Sequence, residues 1–288
     1  MDLAKDLIEK RKFKISRVAR ALAVSRQNLH KHPKARATRY RMKDDPMVLK
    51  SVLEVTKGRA TYGYPRVCAL INRVRIQNAE RRWNEKRIYR VMKINGILVP
   101  KVVLKQKRPH LGQVITLHSN TRWCSDIFTI KCWNEEQVHV AFGMDCHDRE
   151  VISYVAEKRY LFHGDIIKLM DQCVTNRFGE FIEKLPKPIQ WLTDNGPQYT
   201  ADQTRLYGDN WGFDVRTTPS YSPESNGAAE SFVKRFKQDY VYQNELWTAE
   251  SVLRRLPEWF GDYNSNHPHS GLGMKSPLEY RAADKIQS

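Results

Sequence analysis

The spacing of apolar residues changes twice along this 288-residue chain. Over residues 2–30 it is helical, with Ile15, Val18, Ala19 and Leu22 recurring on one face. The stretch AVS makes a brief turn, and Ser25 is placed to cap a second helix, RQNLHKH. Two short helices about a three-residue turn form a helix-turn-helix candidate. Residues 31–44 are basic and turn-rich and predict a linker. A second helical unit starts with Val48, Leu49, Val52 and Leu53. It continues through TYGYPRVCALINR, where Val67, Leu70 and Ile71 share a face after Pro65. Asn84 can cap a further helix, EKRIYRVMKING, whose apolar face is Ile88, Val91 and Met92, with Gly96 as its stop. Residues 99–120 have no steady period and predict a linker or arm.

Beyond residue 120 the period becomes that of strands. RWCSDIFTIKCW, QVHVAFGMDC and VISYVAE follow one another across short turns, which suits an antiparallel meander. A helix over about 163–178, the strand PIQWLTD, the short helix TADQTRLYG and a last strand FDVRTTP come next. A long helix starts near 225, and another spans about 248–261. Strands first, then alternating helices and strands, predict a mixed α/β domain whose sheet is flanked by helices. The expected division is 1–35, a helix-turn-helix-like segment; 36–98, a second helical module; 99–118, a basic linker; and 119–288, an α/β core with a helical tail.

Composition sharpens this division. The net charge is +17, carried unevenly: residues 1–120 hold 30 Lys and Arg against 8 Asp and Glu, residues 121–288 hold 19 against 24. A basic helical part joined to a mildly acidic one points to a polyanion binder coupled to something else. Arg17, Arg20, Arg26, Gln27 and Asn28 in the first segment suit phosphate or base contacts, as do Arg66, Arg73, Lys86, Arg87 and Arg90 in the second. The alternative for each set is a solvated charged face on a small bundle. Lys101, Lys105, Lys107 and Arg108 equip the arm to lie along a DNA backbone. No run of 18 apolar residues predicts a membrane span, and the first residues lack the apolar centre of a signal peptide. Five cysteines without CxxC spacing suit a reducing cytoplasm.

The acids of the second part carry the candidate chemistry. Asp126 lies within the first strand, on the face shared by Cys124 and Phe128. A carboxylate there is costly unless paired or metal-bound. Asp194 falls where PIQWLT ends, before the turn residues Asn195 and Gly196. Glu230 lies in the first turns of the long helix. Three acids from a strand middle, a strand end and a helix can meet at one edge of a sheet. Hard oxygen ligands suit Mg²⁺ or Mn²⁺. Two such ions about 4 Å apart activate an attacking hydroxyl and stabilise the leaving oxygen of a phosphodiester. Solvated surface acids fit the same pattern. Asp145, Asp148, Asp202 and Asp214 compete for the same role, and periodicity does not choose among them.

WCSDIFTI, WLTDNGPQYT and SPESNGAAESFVKRFK together resemble the acidic signature of the DDE transposases with a retroviral-integrase-like core. The match is to the OrfB type found in insertion sequences with two overlapping reading frames. Asp194 and Glu230 are separated by the 35 residues usual for that group. TYGYPRVCALI, NEKRIYRVMKINGI, AFGMDCHDREVISYV and YNSNHPHSGLGMKSPLEY also match, so the resemblance covers nearly the whole chain. It implies an RNase H-like fold and Mg²⁺-dependent DNA cleavage and strand transfer. It further implies Asp126, Asp194 and Glu230 as metal ligands, with two ions, and terminal inverted repeats and target DNA as partners. A homo-oligomer on DNA, and an upstream-frame partner or fusion, are expected with it. A Lys or Arg seven residues after the glutamate is usual; here it is Lys237, which shares a helical face with Glu230 and Lys234. Those two lysines would hold the backbone of an element end. Thr193-Asp194-Asn195-Gly196 and Glu224-Ser225-Asn226 depart mildly from the usual forms and leave the acids intact.

Around this site Asn195, Gln198 and Asn226 are expected at the rim, as DNA contacts or as residues that order their own loops. Trp123 and Trp191 are expected in the core, and Tyr199 near the groove, where it could stack on a base. His267 and His269 are expected in a polar tail. Two other functions remain compatible with the sequence: a non-catalytic DNA-binding regulator, and an RNase H-like nuclease that only hydrolyses.

Overall fold

A computed structural model describes residues 7–8, 10–30, 42–100, 116–218 and 226–287. Residues 31–41 of the linker expected over 31–44, residues 101–115 of the arm expected over 99–120, and the Glu224-Ser225 variation lie outside the described residues. The chain divides into two compact units, Met1–Lys43 and Asp44–Ser288.

The first unit contains α1 (Ile15–Ala21) and α2 (Arg26–His30). Ser25 Oγ accepts the backbone N–H of Asn28 at 3.2 Å, as a cap should. Val18, Ala19 and Leu29 are buried against Leu7, Ile8, Ile15 and Val24. Leu22 departs from its expected place and is exposed.

The second unit opens with α3 (Asp45–Thr56), α4 (Tyr64–Gln77) and α5 (Glu85–Ile94). The predicted punctuation is present. Pro65 lies in the first turn of α4, and Asn84 caps α5 by accepting the Lys86 N–H at 2.8 Å. Gly96 ends α5 at φ 68°, a left-handed conformation that glycine adopts without strain. Val48, Val52, Tyr62, Val67, Ile71, Ile88 and Met92 form the core of this three-helix module.

The sheet follows: β1 (Arg122–Lys131), β2 (Gln137–Asp145), β3 (Val151–Glu157), β4 (Ile189–Thr193) and β5 (Phe213–Thr217), in the order β3-β2-β1-β4-β5. The predicted meander is there, β1–β2 and β2–β3 pairing antiparallel, whereas β1–β4 and β4–β5 are parallel. Side chains alternate between two cores. Trp123, Ala141, Ile189 and Trp191 face α6 (His163–Phe178) and pack on Ile166, Leu169, Met170 and Cys173. A Cβ on Gly143 would stand 2.5 Å from Cys173 Sγ, so only glycine lets α6 approach this close. Cys124, Phe128, Ile130, Phe142 and Met144 face the opposite way. They meet Ala229, Phe232 and Phe236 of α9 (Gly227–Asp239) and Val252, Leu256 and Phe260 of α10 (Ala249–Asn266). Because both faces are covered, β2 is buried along nearly its whole length. The expected helix TADQTRLYG divides at Ala201 into α7 (Pro197–Thr200) and α8 (Asp202–Trp211), and α11 (Pro277–Gln287) closes the chain. All five cysteines are free thiols.

Candidate active site

Strand parity decides which acids meet. Cys124, Asp126 and Phe128 project from β1 toward α9, since Cys124 and Phe128 lie in the core that α9 covers. On β4, Trp191 faces α6 while Leu192 packs toward α9. Asp194, two residues after Leu192 and one past the end of β4, continues on that same side. Glu230 stands in the first turn of α9, where the positive end of the helix dipole favours a carboxylate.

The three carboxylates are near enough for their charges to interact. The Asp126 carboxyl is pushed up to about 6, first by burial and then by the charges of Asp194 and Glu230. The Ile127 N–H, 2.8 Å from Asp126 Oδ1, and the Lys237 ammonium oppose that shift. Asp194 is exposed, with Oδ1 accepting the Gly196 N–H at 3.0 Å. In this conformation no three His, Cys, Asp or Glu side chains among the described residues stand close enough to hold an ion jointly. The donor set still fits a hard cation, because a partly buried carboxylate destabilised by two neighbouring carboxylates is relieved by positive charge.

Three of the four competing acids are paired elsewhere. Asp145 and Asp148 are fully buried and share Arg177, each at 3.2 Å from Nη2, while Nη1 binds Glu150 at 2.8 Å. Asp145 lies opposite Trp123 in the β1–β2 ladder and accepts its indole N–H at 3.2 Å, on the α6 side of the sheet. Asp214 pairs with Arg216 at 2.8 Å, and Asp202 lies exposed in the first turn of α8.

The expected DNA contacts fare differently. Arg26, Gln27, Lys86 and Lys234 are exposed. Lys237 is half-buried, its Nζ 5.5 Å from the centre of the Phe128 ring, and burial lowers its pKa while Asp126 raises it. The rim amides bond to backbone carbonyls of the protein. Asn195 Nδ2 donates to Thr218 O at 2.8 Å, Gln198 Nε2 to Leu161 O at 3.2 Å, and the buried Asn226 to Ser125 O at 3.3 Å. Arg87 pairs with Asp44 at 3.1 Å and Arg66 with Asp239 at 2.8 Å.

Two expectations are corrected. Tyr199 is 1% exposed, on the α6 side, with its hydroxyl 2.8 Å from Ser125 Oγ, so no base can stack on it. His267 is not in a polar tail but buried, its Nδ1 2.8 Å from the Tyr62 hydroxyl. Trp123 and Trp191 are core residues as expected. The partners of Arg66 and His267 escaped the sequence reading. Their signal was there in TYGYPR and YNSNHPHSG, two distinctive stretches without an assigned task.

A mixed five-stranded sheet covered by helices on both faces and preceded by a three-helix module is an RNase H-like fold of the integrase-core class. Two integrase core domain models match residues 117–223 and 212–277, and an HTH-like domain model matches residues 44–106. The chain is 39% identical over 287 residues to the transposase InsD for insertion element IS2A/D/F/H/I/K of Escherichia coli, covering 97% of this chain and 94% of that one. It is 38% identical to InsD for insertion element IS2-9 of Escherichia coli strain K12, covering 97% and 92%. The catalytic core domain of BIV integrase aligns with a TM-score of 0.40 and 19% identity, over 58% of this chain and 98% of that one. The chain belongs to the family of insertion-element transposases, enzymes that cut and join DNA strands.

Proposed function

We propose that Asp126, Asp194 and Glu230 are the catalytic centre of this transposase and its divalent-metal ligands. The observation that carries this is the placement of the three acids: Asp126 on the α9-facing side of β1, Asp194 just past the end of the neighbouring β4 and Glu230 in the first turn of α9, near enough that Asp194 and Glu230 both raise the Asp126 carboxyl, while Asp145 and Asp148 are held by Arg177. Family membership implies divalent-metal catalysis; the finer proposal is two Mg²⁺ or Mn²⁺ ions. When bound, such ions supply the activation of water or a 3′-hydroxyl and the stabilisation of the leaving oxygen. Asp126 offers its carboxylate from a rigid strand, and Asp194 from a turn that its own Oδ1 helps to hold. Glu230 contributes a longer side chain from a helix whose position the core fixes. Lys234 and Lys237 neutralise backbone phosphates near the cut, and Lys237 also offsets negative charge at Asp126.

The DNA substrate is the terminal inverted repeats of the element, followed by target DNA, with several copies of the chain assembled on it. The exposed Arg26, Gln27 and Lys86 supply contacts from the helical segments. Strand transfer with duplex element ends, with and without Mg²⁺, tests this function. Asp126→Asn, Asp194→Asn and Glu230→Gln should each abolish joined products and leave end binding largely intact. Parental activity of Asp194→Asn would bring Asp202 forward. Cleaved but never joined products would favour a hydrolytic nuclease. Binding without cleavage under any divalent metal would favour a regulator.

A further inference from the structure

TYGYPR and YNSNHPHSG lie some 200 residues apart, yet the structure brings them together. Asp239, the last residue of α9, has 1% of its side chain exposed. It accepts Arg66 at 2.8 Å and the Thr61 hydroxyl at 2.7 Å, both from the three-helix module. Asp262 of α10 receives Arg59 through two bonds, at 2.6 and 2.8 Å, and the Tyr240 hydroxyl at 2.9 Å. Arg73 donates to the carbonyls of Asn266 at 2.7 Å and Met274 at 3.0 Å, and pairs with Glu279 of α11 at 2.7 Å. Tyr62, itself 1% exposed, closes the set against His267.

Three arginines of a module expected to spend its positive charge on DNA are thus turned into the protein. Of the carboxylates they meet, Asp239 would otherwise be buried without a counter-charge, which is costly. Bidentate Arg59–Asp262 geometry fixes direction as well as distance. Anchors on α9, α10 and α11 restrain rotation of the module, where a single tether would restrain only separation. Asp239 follows Lys237 by two residues and Glu230 by nine, about 14 Å along one helix. That helix is itself seated in the core by Ala229, Phe232 and Phe236.

We propose that this latch, centred on Arg59, Arg66, Asp239 and Asp262, is a positioning device for strand transfer. It holds the three-helix module in one orientation on the helix that carries Glu230, so that end DNA gripped by the module reaches the carboxylates in a fixed register. The proposal rests on the transposase function set out above. Its residues act through α9 and α10 and touch no reacting atom.

The test uses the full chain, duplex element ends and Mg²⁺, with products mapped to the nucleotide and folding checked by thermal melting. Arg66→Gln removes the charge facing Asp239. Arg73→Gln is the second variant; its partners are two carbonyls and a part-exposed glutamate, so it leaves no fully buried carboxylate unpaired. Both should keep end affinity close to parental and lose joined product roughly tenfold or more. Their cuts should spread over neighbouring nucleotides, and Arg66→Lys should recover most of the parental pattern. A purely structural role would lower yield without moving the cut. Folded variants that cut at the parental nucleotide, whether at parental rate or in proportion to weakened DNA binding, would overturn the latch while leaving the transposase function in place. A parent chain that joins no ends under any divalent metal would overturn the functional proposal and the role of the latch with it.

Discussion

Asp126→Asn should stabilise the metal-free protein while destroying its activity. The carboxyl titrates at about 6 in the fold against 3.8 for the free side chain, through burial and then the charges of Asp194 and Glu230. For an acid whose folded pKa lies above its unfolded one, the native state binds more protons between the two values. Stability therefore falls as pH rises from about 4 to about 6 and stays reduced above that. The shift corresponds to about 3 kcal/mol, and solvent at the partly exposed side chain reduces this to about 2 kcal/mol at pH 7.5. The asparagine amide avoids that cost at every pH and still accepts the Ile127 N–H. At roughly 2–4 °C per kcal/mol, the variant should melt about 4–8 °C above the parent at pH 7.5 in EDTA. At pH 4.5, where the parental carboxyl is largely protonated, the gain should shrink to about 1 kcal/mol or less. Mg²⁺ should raise the parental melting temperature at pH 7.5, and the variant's much less. Circular dichroism melts at the two pH values, with EDTA or Mg²⁺, measure all of this. A variant that melts below the parent at pH 7.5, or gains equally at both pH values, would refute the picture of a carboxylate held in waiting for a cation.

Two further outcomes follow from the same geometry. Arg177→Met leaves Asp145 and Asp148 buried without their shared cation, so unfolding free energy should drop by about 3–5 kcal/mol; an unchanged denaturant midpoint would show that the network contributes nothing. Lys237→Ala should weaken assembly on end DNA and lower strand transfer while the melting temperature stays near parental. Footprints and transfer yields equal to those of the parent would show that Lys237 has no part in holding end DNA.

The local layer of this protein is legible in its sequence. VISYVAE is β3 from end to end, the helix expected over 163–178 is α6, and Ser25, Asn84 and Gly96 punctuate the helices where their chemistry says they should. These features depend on residues within a turn or two of one another, so period and capping suffice. The placement of Trp123 away from Cys124 and Asp126 also follows from alternation within one strand. The family was legible too, because its signature is an order of short stretches along the chain rather than a shape.

What acts at a distance was not. Periodicity left six aspartates open; only the register of β1 against β2, and the parity of β4, sent Asp145 inward to Arg177 and Asp126 and Asp194 toward α9. Tyr199 looked like a groove residue because it follows Asp194 closely, but α7 carries it to the other side of the sheet, against Ser125. Arg66 looked like a phosphate ligand and His267 like tail, because the charge and polarity of a side chain are local while its partner is not. Asp239 and Tyr62 are supplied from elsewhere in the chain, and only folding brings them into contact. Sequence by itself determined the elements, the class of enzyme and the carboxylates available to it. Tertiary structure decided which charges stay exposed and which pair within the protein, since burial and pairing are properties of surfaces that the linear order does not contain.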